Sequence, residues 1–339
     1  MKDVKEALFY EKLDEKKAGC FLCMHHCRIN DGKRGICGVR ENRGGKLYSL
    51  VYGKIIAMNI DPIEKKPLFH FMPASKSFSI ATAGCNFKCL HCQNYDISQY
   101  PSSQGKIPGE DVTPEQIVES AGKAGCDSIS YTYTEPTIFL EFALDCARIA
   151  KEKNIKNVFV SNGYSSPEAV NEISPFLDAI NIDLKGDDEF YKKICGARLK
   201  PVLETVELMK DLDIWIEVTT LIIPSFNDSD KSLDEIADFI CSVDDSIPWH
   251  VSQFYPTYKI LDRPRTPIET LRRAREIGLK KGLKYVYEGN VPGEGGENTY
   301  CPDCNELLIE RHGYQVVLDK IMKGFCPSCK NYINGVWRE

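Results

Sequence analysis

Residues 78–94 read FSIATAGCNFKCLHCQN, an apolar β-rich run followed at once by Cys85, Cys89 and Cys92. Three thiolates within eight residues can occupy three corners of a [4Fe–4S] cube, whereas a fully ligated cluster takes four cysteines. The remaining iron would keep an open coordination position, which distinguishes a reactive metal site from a structural one. Zinc is the alternative, but no fourth cysteine lies near. The stretch therefore predicts a reactive iron–sulfur site at the end of a strand.

Outward from this stretch, residues 76–290 alternate apolar β-rich runs with helical patterns, which predicts parallel strands joined by helical crossovers. The predicted strands are FSIATAG, SISYTYT, NVFVSN, AINIDLK, WIEVTTLIIP, WHVSQF and YVYEG. The predicted helices are Pro114–Ala124, Ile138–Lys153, Pro167–Leu177, Lys200–Asp211, Asp230–Val243 and Pro267–Lys281. These units are slightly too few for a closed eight-stranded barrel. We expect an α/β fold, a partial (β/α)6 TIM-like barrel, with a doubly wound sheet as the alternative.

The composition narrows the class of protein. The 339 residues include 15 Cys, and 43 Lys and Arg face 49 Asp and Glu. This amino-acid composition excludes disordered, collagen-like and coiled-coil chains. The net charge of -6 creates no electrostatic field that would attract a phosphate backbone. No apolar run reaches the roughly 18 to 20 residues of a membrane helix, and the charged, helix-like start does not resemble a signal peptide. We expect a cytoplasmic protein.

Clustered cysteines in a reducing compartment indicate metal ligands rather than disulfides. They divide the chain into a Cys-rich metal-binding module at 1–48, a connector at 49–75, the barrel at 76–290 and a zinc-ribbon-like module at 291–339. Four scattered cysteines are expected to be small buried core residues: Cys126, Cys146, Cys195 and Cys241.

The terminal modules each hold four cysteines. Those of the C-terminal module form two C-P-x-C pairs separated by 21 residues, a spacing typical of a structural zinc ribbon: Cys301, Cys304, Cys326 and Cys329. Those of the N-terminal module lie within eighteen residues, beside His25 and His26: Cys20, Cys23, Cys27 and Cys37. Zinc and an auxiliary iron–sulfur cluster both fit this second set. Zinc is preferred because nothing in the sequence requires a second redox centre.

Further polar residues follow the predicted strands, where a barrel places its active site. The candidates for ligand binding are Thr134, Glu135, Asn162, Asp183 and Lys185. Thr219 or Thr220, together with Gln253, is expected to face the same mouth. The segment containing Glu64, Lys65, Lys66 and His70 could cover that mouth or bind a partner, and a solvated connector is the alternative.

The C-x3-C-x2-C spacing resembles the cluster motif of the radical S-adenosylmethionine (SAM) superfamily, with His91 where that family has Tyr or Phe. The resemblance implies a partial barrel in which SAM chelates the open iron of a [4Fe–4S] cluster. It also implies reductive cleavage of SAM into methionine and a 5′-deoxyadenosyl radical, which abstracts hydrogen from a small-molecule or protein substrate. His91 would stack on adenine.

The resemblance assigns roles to the other candidates. Thr134-Glu135-Pro136 takes the place of the family's Gly-Gly-Glu-Pro, which receives the amino group of SAM. The Asp183-Leu184-Lys185 pattern resembles that of the pyruvate formate-lyase activating enzymes. It would put Lys185 on the methionine carboxylate. From its side-chain chemistry, Asp183 could bind the ribose hydroxyls or a cation.

Longer stretches resemble the radical SAM component of the AmmeMemoRadiSam system, which is related to those activating enzymes. They are residues 20–42, CFLCMHHCRINDGKRGICGVREN, residues 61–71, DPIEKKPLFHF, and residues 334–337, NGVW. Met24 departs from this pattern, in which Pro follows the second cysteine. The resemblance implies a Memo-like metal-binding partner protein and a reductant such as ferredoxin or flavodoxin.

Two alternative functions stay open. A glycyl-radical enzyme activase fits the D-x-K pattern, although activases carry their auxiliary cysteines after the cluster motif. An RNA-modifying enzyme with a zinc-ribbon adaptor is disfavoured by Asp303, Glu306 and Glu310 in the ribbon.

Overall fold

The computed structural model describes residues 4–101 and 105–338. Short strands form the N-terminal module: β1 (Lys5–Glu6), β2 (Tyr10–Lys12), β3 (Ala18–Cys20), β4 (Cys27–Ile29), β5 (Arg40–Arg43) and β6 (Lys46–Ser49). The central sheet contains β7 (Lys54–Pro62), β8 (Lys76–Thr82), β9 (Glu110–Asp111), β10 (Ser128–Tyr131), β11 (Lys156–Ser161), β12 (Ala179–Asp183), β13 (Trp215–Ile222), β14 (Trp249–Gln253) and β15 (Val286–Gly289). The C-terminal module contains β16 (Thr299–Tyr300), β17 (Leu307–His312) and β18 (Gln315–Asp319).

The α-helices are α1 (Tyr95–Ser98), α2 (Pro114–Lys123), α3 (Leu140–Glu152), α4 (Pro167–Ile173), α5 (Asp188–Phe190), α6 (Lys200–Asp211), α7 (Asp230–Val243) and α8 (Ile268–Lys281). A π-helical turn, Tyr191–Cys195, follows α5. The six predicted crossover helices are confirmed to within a few residues. Local signals explain their starts, since Thr113 and Gln116 form a capping box before α2 and Ser229 caps α7.

The central sheet runs in the order β15-β14-β13-β12-β11-β10-β8-β7-β9. The seven predicted strands, β8 and β10 to β15, are parallel. Because the order of these seven parallel strands never reverses, the sheet lacks the switch point of a doubly wound fold. Within the described residues, its edge strands, β15 and β9, do not pair. The partial-barrel prediction is confirmed.

Strand β7 lies inside the predicted connector and pairs antiparallel with β8. Sequence analysis missed it because its apolar residues do not mark one buried face: Met58 and Ile60 are exposed. Residues 63–75 then pass between the sheet and the C-terminal module, where Glu64, Lys66 and His70 are buried. The solvated-connector alternative is therefore wrong.

The N-terminal module consists of two small antiparallel sheets, β1-β6-β5 and β2-β3-β4. The prediction of a helix-like start is wrong for the described residues, because β1 and β2 pair with later strands and long-range pairing overrides local preference. In the described part of the chain, no helix has both the length and the apolar character required to cross a membrane.

Candidate functional site

A cavity of about 470 Å³ opens at the carboxyl ends of the parallel strands. Its wall brings together all the candidates for cluster and SAM binding: Cys85, Cys89, His91, Cys92, Thr134, Glu135, Asn162, Asp183 and Lys185. Thr219 also lines it. This is the end of a barrel sheet at which loops can be varied without disturbing the core.

The cysteine loop is fixed on two sides. Gly84 has φ +104°, and a Cβ atom there would lie 2.6 Å from Val39 Cγ1 of the N-terminal module. On the other side, the backbone N–H groups of Lys88 and Leu90 donate to carbonyls of the π-helical turn at 2.8 and 3.0 Å. Glycine is therefore required at the start of the loop, because only glycine tolerates both this φ and this contact.

The three cysteine sulfurs are spread apart. Among the described residues, only the C-terminal cysteines bring three or more metal-ligand atoms within 4.8 Å of one another. One zinc ion would draw its sulfurs to about 3.8 Å from each other, given bonds of about 2.3 Å. The spread of Cys85, Cys89 and Cys92 instead suits a cluster in which each thiolate binds a different iron.

Cys195 lies beside the cysteine loop. It is buried, as expected of a core residue, but its thiol also hydrogen-bonds to that of Cys89. A fourth cysteine therefore does lie near the motif in space, 106 residues later in the chain. Cys126 and Cys146 are buried as predicted, whereas Cys241 is only partly buried.

Several buried polar atoms near the cavity have no hydrogen-bond partner among the described residues. They are Asn86 Nδ2, His91 Nδ1 and Thr219 Oγ1. Burial lowers the pKa of His91 to about 3, and the Lys185 charge adds to this effect, so its ring is neutral. Unpaired buried polar groups cost free energy, so these atoms fit a cavity that receives a polar ligand.

Glu135 organises the strand ends. Its carboxylate accepts hydrogen bonds from Thr137, from Ser161 Oγ at 2.8 Å and from the Asn162 N–H at 2.8 Å. Asn162 Nδ2 in turn donates to Asn86 Oδ1 at 2.8 Å, beside Cys85. Burial raises the pKa of Glu135 despite these donors. The carboxylate is thus engaged with neighbouring residues of the loop ends.

Asp183 and Lys185 form an ion pair in the cavity wall, with 2.7 Å between Oδ2 and Nζ. Lys185 is buried, and burial alone would lower its pKa, but the Asp183 charge outweighs that effect and the pKa is raised. Lys185 therefore keeps its positive charge inside the cavity. A buried ammonium is a suitable partner for a carboxylate.

Two predicted residues do not reach the cavity. Thr220 Oγ1 donates to the Leu184 carbonyl and accepts from Trp249, and Gln253 Nε2 donates to the Thr266 carbonyl at 2.6 Å. Both belong to the packing between strands. Of the two threonines predicted to face the cavity, Thr219 is therefore the one that does so.

Sequence reasoning missed two further cavity residues. Asn290 lies after β15, and Tyr314 projects from the turn between β17 and β18. Lys65 and Lys66, for which covering the mouth was one option, also line the cavity, and both pair with Asp61. The conspicuous Glu-Lys-Lys run was the available signal for the lysines, whereas no local signal identified Tyr314.

The C-terminal cysteines form a compact tetrad. The Sγ atoms of Cys301 and Cys329 are 3.5 Å apart, and those of Cys304 and Cys326 are 3.7 Å apart. In each C-P-x-C motif, the residue that follows the second cysteine has a positive φ and donates its N–H to the carbonyl of the first cysteine. Asn305 does so to Cys301. Such equivalent knuckles and short separations fit a single tetrahedral metal ion.

The N-terminal cysteines are arranged differently. Cys20 and Cys27 face each other across β3 and β4. With Cys23 and Cys37, they line one small pocket. His25 lines it as well, but its Nε2 lies 2.9 Å from the Asn86 carbonyl, so this nitrogen is engaged with the cysteine loop.

Residues 79–240 match the family profile of the Radical SAM superfamily. The chain belongs to the radical SAM superfamily. It is 52% identical over 313 residues to an uncharacterised protein of Methanocaldococcus jannaschii, a match covering 91% of this chain and 92% of that one. This superfamily member is an enzyme, and its radical SAM domain implies SAM and a [4Fe–4S] cluster as cofactors.

A second relative links this radical SAM enzyme to the activating enzymes. It is 26% identical over 63% of this chain and 88% of its own length, and its name provisionally assigns it to the glycyl-radical enzyme activating enzymes of M. jannaschii. A solved structure, a radical SAM methyltransferase from Sphaerobacter thermophilus, matches with a TM-score of 0.51 at 15% identity, over 65% of this chain and 68% of that one. At that identity the match shows a shared fold.

Proposed function

We propose that this enzyme cleaves SAM reductively and uses the resulting 5′-deoxyadenosyl radical to abstract hydrogen from a small-molecule or protein substrate. Cys85, Cys89 and Cys92 would hold the [4Fe–4S] cluster, which supplies the electron for the cleavage when bound. The observation that carries the proposal is the convergence of three spread thiols, a buried ammonium and unpaired polar atoms on one cavity.

The residues of the chain would bind and orient SAM. Lys185 presents a positive charge suited to the methionine carboxylate, and Asp183 both holds that ammonium and offers an oxygen to the ribose hydroxyls. The neutral ring of His91 offers an aromatic face for adenine. Glu135 fixes the position of Asn162 beside Cys85. Backbone carbonyls near Thr134 would accept from the amino group of SAM.

A glycyl-radical activase is the second candidate within this reaction class. It is supported by the relatives named for that activity, which cover 63% of this chain, and by the Asp183-Leu184-Lys185 pattern. Abstraction from a glycine of a partner protein would then replace abstraction from a small molecule.

The proposal also includes the electron donor, the partner protein and the cellular compartment. A one-electron donor such as ferredoxin or flavodoxin would reduce the cluster in the cytoplasm. Residues 20–42 and 61–71 support membership of the AmmeMemoRadiSam system and a Memo-like partner protein. The C-terminal tetrad would hold zinc as a structural ion, because it combines four thiolates with short sulfur–sulfur separations.

The test is anaerobic reconstitution with iron and sulfide, followed by a strong reductant and SAM, with 5′-deoxyadenosine and methionine quantified. Wild-type protein is expected to form both products, and the Cys85→Ala/Cys89→Ala/Cys92→Ala variant is expected to form neither. Cys146→Ala is the matched control, because this buried thiol lies in α3, away from the cavity. Failure of wild-type protein with an intact, reducible cluster to cleave SAM, with and without a Memo-like protein, would contradict the proposal.

A further inference from the structure

The cavity in the N-terminal module has a composition unlike that of an ordinary packing gap. All four cysteines of the module line it: Cys20, Cys23, Cys27 and Cys37. Apolar side chains complete the wall, including Leu22, Ile29 and Ile138. Four convergent thiols are a metal-ligand set.

The spacing of the sulfurs separates two candidate occupants. No three of the four N-terminal sulfurs, all in described residues, lie within 4.8 Å of one another. A zinc ion leaves no cavity between its ligands, as the C-terminal tetrad illustrates with separations of 3.5 and 3.7 Å. Four sulfurs that line one pocket, with no three of them within 4.8 Å of one another, fit a larger body that each sulfur contacts at a different corner.

A buried arginine provides an independent observation. Arg40 lines the cavity and is 1% exposed. Its Nη2 donates to Glu141 Oε1 and to the Leu8 carbonyl, but Nε and Nη1 have no partner among the described residues. Unpaired guanidinium N–H groups beside four thiols require an acceptor, and hydrogen bonds to cluster sulfurs are a common means of setting the potential of a cluster.

We infer that Cys20, Cys23, Cys27 and Cys37 hold an auxiliary [4Fe–4S] cluster, with Arg40 donating hydrogen bonds to its sulfur atoms. Each thiol loses its proton to solvent as it binds iron. Four protein ligands leave no open iron, so this cluster does not bind SAM. This assignment replaces the sequence-based preference for zinc in this module.

The auxiliary cluster would lie directly behind the cysteine loop of the active site. The Cys37 carbonyl is 3.0 Å from the position a Cβ of Gly84 would take. His25 Nε2 is 2.9 Å from the carbonyl of Asn86, the residue after Cys85. The two cysteine sets therefore share a wall. A role in passing an electron to the first cluster would rest on the proposed function, whereas the presence of the auxiliary cluster does not.

The deciding experiment measures iron, acid-labile sulfide and zinc per chain after anaerobic reconstitution. Wild-type protein is expected to hold about eight irons, and the Cys85→Ala/Cys89→Ala/Cys92→Ala variant about four, together with the electron paramagnetic resonance signal of a reduced [4Fe–4S] cluster that SAM does not perturb. Cys23→Ser/Cys27→Ser is expected to lose the complementary four irons and to keep a signal that SAM perturbs.

The triple alanine variant decides the inference even if the serine variant fails to fold. If the triple variant retains no iron and about two zincs, the N-terminal set is a zinc site and the inference is wrong. The proposed function fails separately, when wild-type protein holds about eight irons but does not cleave SAM. The proximity of the two clusters gives a second readout. The electron paramagnetic resonance signal of fully reduced wild-type protein should be broader than the sum of the two variant signals.

Discussion

The two terminal modules use four cysteines each, yet they place them in different ways. The C-terminal set forms two equivalent knuckles with sulfurs within 4.8 Å, and Cys304 and Cys329 are exposed. The N-terminal set comes from two strands, a turn and a loop, and surrounds a cavity that also contains a buried arginine. Equal numbers of thiols therefore do not imply the same metal. Sulfur separation and nearby hydrogen-bond donors distinguish the two sites.

The largest expected effect tests the compact site. Cys304→Ser/Cys329→Ser should lose one zinc per chain and unfold the C-terminal module, because metal binding contributes on the order of 10 kcal/mol to such a site. Metal analysis and limited proteolysis after residue 291 would measure both results. The N-terminal variant Cys23→Ser/Cys27→Ser is the matched comparison and should keep its zinc. Loss of iron from the C-terminal variant would erase the contrast between the modules.

Arg40 tests the N-terminal cavity. Arg40→Met should destabilise the protein by about 4 kcal/mol, because it leaves Glu141 buried without its partner, and should reduce the iron retained at the N-terminal set. Denaturant unfolding and iron analysis measure the two effects. Arg43→Met is the control, since Arg43 is exposed and pairs only with Glu41 in the described structure.

A double variant separates the effect of the ion pair on stability from the effect of Arg40 on iron binding. Arg40→Met/Glu141→Leu should recover part of the lost stability without recovering iron, because removing both charges leaves no unpaired carboxylate. Full recovery of iron would mean that Arg40 acts only through Glu141.

Gly84 tests the contact between the N-terminal module and the active site. Gly84→Ala should cost about 3 kcal/mol, from the positive φ and from overlap with Val39. Val39→Ala in the same chain should relieve the overlap but leave the cost of the φ. Thermal unfolding of the single and double variants measures the difference. Val39→Ala alone gives the cost of the shortened side chain, and strictly additive losses in the double variant would show that Val39 imposes no constraint.

The smallest effect concerns how the C-terminal module is attached. His70 Nδ1 donates to the Asn334 carbonyl and Nε2 accepts from Tyr287, and burial lowers the pKa of His70 to about 4. Between pH 6.5, the ordinary pKa of histidine, and about pH 4, His70 binds a proton in the unfolded chain but not in the folded chain. Stability should therefore fall by about 2 kcal/mol from pH 7 to pH 5.

His70→Gln should flatten this pH dependence, because glutamine does not titrate. Urea unfolding of both proteins at several pH values gives the comparison. Parallel slopes would assign the pH dependence to other groups, such as Glu217 beside His70.

The sequence predicted the parts of the molecule that depend on local patterns. The parallel strands follow from apolar runs such as Ala179–Asp183, which is buried along nearly its whole length. The cluster loop follows from cysteine spacing. The strand ends identified Asp183 and Lys185 because barrel topology brings those ends together.

Long-range packing explains what sequence reasoning missed. Cys195 reaches Cys89 only because the π-helical turn folds back against the cysteine loop. Tyr314 enters the cavity only because the C-terminal module packs on the barrel. The prediction that Gln253 faces the cavity is wrong because a residue at a strand end can still turn into the core. Gln253 does so and bonds to Thr266.

The burial of residues 63–75 beneath the C-terminal module has a consequence for biosynthesis. His70 contacts Asn334, 264 positions later in the chain, and Val336 pairs with Phe71. During translation, the cysteines of the barrel loop emerge long before the segment that holds this connector in place. Until residues 314–336 have emerged, the cavity wall lacks Tyr314, and the connector lacks its contacts with Asn334 and Val336.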